Sequence, residues 1–298
     1  PCGFSGVMRR TWRWLMCAAG WVMATYMFFL VFITDPSTIK ADQAAHEHTT
    51  VHGSLGSTGK HSGQGAHLPR CQPLRELRYR FPPGPTTALV SFPGSGNTWL
   101  RHLLQQVTGY FTGSVYKDKI LMKNGFPAES VCNGSVIAVK THEWGPKHRN
   151  KFNRAILMLR DPYLSIQAEF NRQNGGHIGH AQPEKYLRNN GTYWENFVIY
   201  EATAWMNTTI DWLKFEGSLH LVFYEDLLDN LSEEMGRILE FLNIEVDDAS
   251  LDCMLRHQDG GFRRRKNPLS FDPFNAKLRA VVDNSKSIVN KKLKSRRR

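Results

Sequence analysis

A three-layer α/β fold, a parallel sheet flanked by helices, is what the sequence predicts, and three observations carry it. Residues 87–92, 136–140, 155–159 and 219–224 are short runs that are apolar almost throughout. That is the pattern of strands buried on both faces rather than on one. Segments with helical spacing separate these runs, the layout of a sheet whose crossovers cover both its sides. The first run ends in Pro93-Gly94-Ser95-Gly96, and a helical pattern begins at once with Asn97. Strand, glycine elbow and helix start together form a cradle for an anion: glycines let the backbone turn its N–H groups inward, and the helix end adds unpaired donors.

The N-terminal part precedes that fold. Residues 1–13 carry Arg9, Arg10 and Arg13 and predict a cytoplasmic tail. Residues 14–33 are uncharged and apolar or small, long enough as a helix to cross a bilayer core. Trp14, Trp21 and Tyr26 suit a spanning segment, and no small-residue cleavage site follows, as a secretory signal would need. Positive charge ahead of the span orients the remainder to the lumen, a type II anchor. Residues 34–85 are rich in Gly, Ser, Thr and His and end in Phe81-Pro82-Pro83-Gly84-Pro85. They read as a luminal stem, with the irregularly spaced His46, His48, His52, His61 and His67 as solvated linker rather than metal ligands. Residues 86–298 form the predicted folded domain. Asn133, Asn190, Asn207 and Asn230 each begin an N-glycosylation sequon, which agrees with a luminal side.

Within the domain, helices are expected from Asn97 to about Thr108, from Pro162 to about Asn174, and over 193–215, 233–242 and 250–257. Asp161 is placed to cap the second of these, with Pro162 at its first position. The basic run 291–298 is expected to fray into solvent. The four predicted strands then bring their carboxyl ends to one crevice: Gly94–Gly96, Lys140-Thr141-His142, Arg160-Asp161 and Tyr224-Glu225-Asp226.

Composition narrows the chemistry. A net charge of +11, part of it in the terminal run, favours an anionic partner such as a nucleotide or an acidic glycan. No stripe of interleaved basic and aromatic residues and no zinc-finger spacing is present, which argues against nucleic acid. The five cysteines hold no CxxC pair, so no metal site is predicted; a single disulfide fits them without the sequence choosing its partners. The glycine elbow lacks the lysine of a nucleotide triphosphatase loop, because Asn97 and Thr98 follow Gly96. A magnesium-dependent kinase is therefore the weaker reading.

Five segments in order give the chain a resemblance. Pro93-Gly94-Ser95-Gly96-Asn97-Thr98-Trp99 resembles the 5′-phosphosulfate loop of sulfotransferases that use 3′-phosphoadenosine 5′-phosphosulfate (PAPS). Val139-Lys140-Thr141-His142 is similar to their catalytic segment, and Leu159-Arg160-Asp161-Pro162 to the start of their 3′-phosphate segment. Phe223-Tyr224-Glu225-Asp226 and the basic cluster Gly261 to Lys266 match two later segments. With the anchor and stem, the chain resembles Golgi carbohydrate sulfotransferases, most of all the group named for WSC domains, although it has no cysteine-rich WSC module.

The resemblance implies a P-loop-hydrolase-like sulfotransferase fold, PAPS as co-substrate without metal, and a glycan acceptor, with sialic acid suggested by the WSC-named group. Gly94, Ser95, Gly96, Asn97 and Thr98 would hold the phosphosulfate, Trp99 and Tyr224 would face the nucleotide, and Arg160, Arg264, Arg265 and Lys266 would meet the 3′-phosphate. His142 is the expected general base and Lys140 the group that neutralises charge on the sulfuryl and leaving oxygens. Two positions depart from the family pattern. Gly94 stands where a basic residue is common, leaving Lys140 or Arg101 to take its part. Ala168 stands where a serine is usual, with Ser165 one turn back as its substitute. These departures are the motive for a rival reading, a membrane-anchored nucleotide- or glycan-binding protein with impaired catalysis.

Overall fold

The computed structural model describes residues 76–265 and 267–296. The predicted tail and span, the stem up to residue 75, and Lys266 lie outside the described residues. Among the described residues no helix is long and apolar enough to cross a membrane.

Five strands form one wholly parallel sheet: β1 (Thr87–Ser91), β2 (Gly113–Ser114), β3 (Val139–Thr141), β4 (Arg154–Leu159) and β5 (Ser218–Phe223), in the order β2-β3-β1-β4-β5. The helices are α1 (Asn97–Thr108), α2 (Lys119–Lys123), α3 (Pro146–Arg149), α4 (Pro162–Gly175) and α5 (Pro183–Leu187) in the first half. Then follow α6 (Thr192–Trp212), α7 (Tyr224–Asp229), α8 (Leu231–Leu242), α9 (Asp248–Arg256) and α10 (Ala276–Arg296).

Alternating strand residues build two separate cores, which makes the fold three-layered. Leu89, Ile156, Met158 and Val222 pack with Leu100, Leu103, Leu104 and Val107 of α1 and with Ile238 and Leu242 of α8. Their neighbours Ala88, Val90, Ala155, Leu157 and Leu159 pack with Trp212, Leu213 and Phe215 on the other side. A leucine buried this completely contributes about 1.5–3 kcal/mol. The central strand β1 is buried at all five positions and carries the glycine elbow at its carboxyl end. β3 lies on one side of it and β4 on the other, so the elbow sits where the chain order switches direction.

Asp161 caps α4 as its sequence predicts, accepting from the N–H groups of Tyr163 and Leu164, with Pro162 in the first turn. β2 has no counterpart among the predicted strands, and β3 is shorter than the apolar run 136–140. Residues ahead of β1 are tied to the domain: Arg78 N–H donates to Gly109, Arg80 N–H to Ser135 and Gly84 N–H to Gly134.

The basic run at the C-terminus corrects an expectation. Lys291 to Arg296 do not fray but complete α10, which packs on α6. Leu278, Val282, Ser285 and Val289 recur on its buried face, while lysines and arginines occupy the other. Lys286 also reaches Asp161 (2.6 Å) at the start of α4. Asn133, Asn190 and Asn230 are exposed, whereas Asn207 lies half-buried inside α6 and the Thr209 hydroxyl of its sequon donates to the Trp205 carbonyl. Cys253 is disulfide-bonded and Cys132 is a free, exposed thiol.

Candidate active site

The elbow after β1 is held in shape by its own side chains. Gly96 precedes α1 with φ 95° and gives it no side-chain cap, so the first-turn N–H groups have no capping acceptor. A Cβ on Gly96 would stand 2.7 Å from the Tyr224 ring, which lies against the elbow. Asn97 is buried, and its amide donates to the Leu89 carbonyl (3.0 Å) and to Ser91 Oγ (3.2 Å). The side chain read from the sequence as a ligand donor thus braces the loop from beneath, leaving the backbone N–H as what Asn97 offers an anion. Ser95 is also buried, and its Oγ has no hydrogen-bond partner among the described residues. Thr98 is half-buried in the same turn.

Arg160 follows β4 and crosses back to the elbow. Its Nη1 donates to the Gly94 carbonyl (2.8 Å), and its guanidinium lies 4.2 Å from the Tyr224 ring centroid. Its Nε is buried without a partner among the described residues. Trp99 meets Tyr224 edge-on (5.6 Å between centroids) and donates from Nε1 to the Gln258 carbonyl (2.7 Å). Arg264 spans the end of α4, donating to the carbonyls of Ala168 (3.1 Å), Gly176 and His177 (both 3.2 Å), while its Nε too is buried and has no partner among the described residues. Arg265 is exposed, and Lys266 is outside the described residues.

The two departures from the family pattern are one packing feature. Gly94 has φ 77°, and a Cβ there would fall 2.4 Å from the Ser165 carbonyl oxygen, 2.9 Å from the Glu169 nitrogen and 3.2 Å from the Ala168 Cβ. The elbow rests directly on α4, so a long basic side chain at Gly94 has no room, and Ala168 is the residue it rests on. Ser165 is fully buried, and its hydroxyl donates back to the Asp161 (3.1 Å) and Pro162 (3.3 Å) carbonyls. It serves the helix and does not present a free donor in place of a serine at 168.

Arg101 does not take the missing basic residue's part. Its side chain is fully buried and paired with Glu129 (2.6 Å), with further bonds from Nε to Thr112 Oγ1 (3.0 Å) and from Nη2 to the Thr112 carbonyl (3.3 Å). Of the two residues expected to take that part, Lys140, on β3 beside Leu89, is the one left. Burial, and then the charge of Arg101, pull its ammonium down to about 8.

His142 directly follows β3. Its Nδ1 is 2.8 Å from the Ser91 carbonyl. A carbonyl only accepts, so Nδ1 carries the proton and Nε2 keeps a lone pair, the tautomer of a general base. Burial first, and then the Lys140 charge, hold the imidazole down at about 3, so it is neutral at working pH. The unperturbed value expected from the sequence does not apply to the ligand-free site. A bound anion acts in the opposite direction, since negative charge nearby favours the imidazolium.

Tyr116, which the sequence did not single out, completes this corner. Its hydroxyl accepts from the His142 N–H (3.0 Å) and donates to Glu143 Oε1 (3.0 Å). It follows a strand of only two residues, so no periodicity marks it. Arg172 on α4, bonded through two nitrogens to Glu169 (2.7 and 2.6 Å), is a further cation whose charge is felt at both Lys140 and His142. No group of acidic, histidine and cysteine side chains suited to a metal is found among the described residues.

Comparison with known proteins adds the family. Residues 85–259 match the Sulfotransferase domain family. A WSCD family member of Aedes aegypti is 42% identical over 307 aligned positions, covering 94% of this chain and 96% of its own. A WSCD family member of Drosophila pseudoobscura pseudoobscura is 54% identical over 68% of this chain and 65% of its own. Among solved structures, a mouse sulfotransferase complexed with PAP aligns over 67% of this chain and 71% of its own, at 18% identity and a TM-score of 0.41.

Proposed function

The chain belongs to the sulfotransferase family and to its WSCD members, and from that premise we propose that it transfers a sulfuryl group from PAPS to a hydroxyl of a glycan. The observation that carries this reading is a pair of unsatisfied donors at the elbow. Ser95 Oγ and Arg160 Nε are buried there without partners among the described residues, beside a helix start that has no side-chain cap, and Arg264 Nε is likewise buried and unpartnered where its side chain lies against α4. Buried donors left unpaired cost about 1–3 kcal/mol each, a cost that an anionic ligand relieves. They fit the phosphate and sulfate oxygens of PAPS.

When bound, PAPS supplies the sulfuryl group and leaves as 3′-phosphoadenosine 5′-phosphate. The residues here provide the rest. The elbow amides and Ser95 hold the phosphosulfate, Arg160 and Arg264 supply charge for the 3′-phosphate, and Tyr224 and Trp99 offer faces to the base. His142 Nε2 takes the proton of the acceptor hydroxyl as its oxygen bonds to sulfur and the bond from sulfur to the phosphate oxygen breaks. The Lys140 ammonium stands against the charge that gathers on the departing oxygen.

The setting proposed with this activity is a Golgi membrane, single-pass type II, with the domain in the lumen. It is supported by the uncharged span at 14–33, the arginines before it and the exposed sequons Asn133, Asn190 and Asn230. Sialic acid is the acceptor proposed first, and acidic glycans in general suit the basic crevice. Gly94 and Ala168, the motive for reading the chain as a catalytically impaired binding protein, meet where the elbow rests on α4, and PAPS binding without transfer would favour that rival reading. Label transfer from [35S]PAPS to a panel of sialylated and neutral glycans by the full chain tests the reading. Transfer to a glycan without added ATP or metal is expected; PAPS binding with no transfer to any acceptor would overturn it.

A further inference from the structure

The Tyr116 side chain lies against both groups that the proposed proton transfer and charge neutralisation depend on, His142 and Lys140. Its ring lies over the His142 imidazole, with centroids 5.7 Å apart and planes 26° from parallel. The Lys140 ammonium sits 5.7 Å from the centre of the same ring. Its hydroxyl links the backbone N–H of His142 to the Glu143 carboxylate, both at 3.0 Å. The chain around it is fixed in turn. Tyr116 N–H donates to Ser114 Oγ (3.0 Å), Glu143 N–H to Thr141 Oγ1 (3.1 Å), and the Trp212 indole to the Glu143 carbonyl (2.8 Å). Burial, with the Glu143 charge adding to it, pushes the phenol well above its ordinary value, so the hydroxyl stays protonated and keeps donating.

We propose that Tyr116 is the positioning residue of this site: its ring holds His142 and Lys140 at a fixed separation, and its hydroxyl locks the turn that carries His142. The inference rests on the functional reading above for its consequences in catalysis, but its geometry stands apart from that reading. Two groups that work on the attacking and departing oxygens of one transfer must keep their distance from each other. Misplacement by about 1 Å can cost on the order of 10²-fold in rate. Lys140 and His142 are separated by one residue at the end of a three-residue strand, whose pairing with β1 and β2 fixes the backbone but not the spacing of the two side chains beyond it. The aromatic face sets that spacing: cation–π attraction on the Lys140 side and stacking on the His142 side.

Three single variants of the full chain, and the double variant Tyr116→Phe with Glu143→Ala, test this, each first checked for folding by its thermal transition. Tyr116→Phe keeps the ring and removes the hydroxyl; Glu143→Ala removes the acceptor of that hydroxyl; Tyr116→Leu removes the ring. Two readouts are taken, kcat and KM with [35S]PAPS, and NMR titration of the His142 imidazole, assigned with His142→Gln. Tyr116→Phe and Glu143→Ala should each lower kcat by about 10-fold with KM for PAPS unchanged. The double variant should be no worse than Tyr116→Phe, since both cut one link. Tyr116→Leu should lower kcat by about 10²-fold and move the His142 titration up toward its ordinary range, because water reaches the ring while the charges of Lys140, Arg101 and Arg172 stay. Losses that multiply in the double variant, or a His142 titration unchanged by Tyr116→Leu, would overturn the proposal. Should the wild type transfer no label at all, the functional reading falls, and the His142 titration alone still decides the role of Tyr116.

Discussion

Substituting Gly94 by alanine adds a single methyl group, and the structure says where it goes. The Cβ falls 2.4 Å from the Ser165 carbonyl oxygen and 2.9 Å from the Glu169 nitrogen, both backbone atoms of α4 that no rotamer change can move aside. The position also has φ 77°, a conformation that costs a residue with a Cβ about 1–2 kcal/mol. Forcing the elbow off the helix adds about 1–3 kcal/mol, as overpacking of a tight contact does. Together these give about 2–5 kcal/mol. For a domain of this size each kcal/mol lowers Tm by about 2–4 °C, so a fall of about 4–20 °C is expected. Because the elbow moves with the methyl, PAPS affinity should fall as well. Gly125→Ala is the control, since Gly125 shares a positive φ (102°) but has nothing within 4 Å of the added carbon. Thermal unfolding and PAPS titration of both variants read the difference. A Gly94→Ala chain with the Tm of Gly125→Ala and wild-type PAPS affinity would refute the close contact between elbow and α4, and with it the explanation of why no basic residue stands there.

Two further outcomes follow from the electrostatics of the crevice. Lys140, held down at about 8 in the ligand-free site, loses its charge as pH rises through that value, so kcat/KM for PAPS should decline on the alkaline side from about pH 8. Lys140→Arg keeps a cation there and should move that decline to higher pH, which a pH–rate profile of both proteins reads. Arg101→Ala should leave Glu129 buried and unpaired, and cost about 3–5 kcal/mol in chemical denaturation. Arg101→Met with Glu129→Leu should recover most of that loss.

What the sequence displayed depended on how local each feature is. β1, β4, β5, α1 and α4 were legible to within a residue or two, because one strand or one helix carries its own apolar pattern and Asp161-Pro162 marks its own helix start. β2 was invisible, as two residues hold no period. α10 was hidden under its own charge: its buried face is four residues among a surface of lysines and arginines, and only α6 reveals it. The place of Lys140 and His142 at the end of a strand was legible from their motif, whereas Tyr116 reaches His142 through a contact 26 residues apart in the chain. Gly94 and Ala168 looked like two losses in sequence and are one contact in space, because the elbow and α4 meet only after folding.

The account turns on His142 as the base of a sulfuryl transfer whose donor is held by other residues. The most direct test is to measure, in one preparation of the full chain, PAPS binding and single-turnover transfer of label to a sialylated glycan for wild type and His142→Ala. The expected result is PAPS affinity unchanged within about 2-fold and transfer slower by about 10²–10⁴-fold, the usual contribution of a general base. Transfer at near wild-type rate in His142→Ala would contradict it.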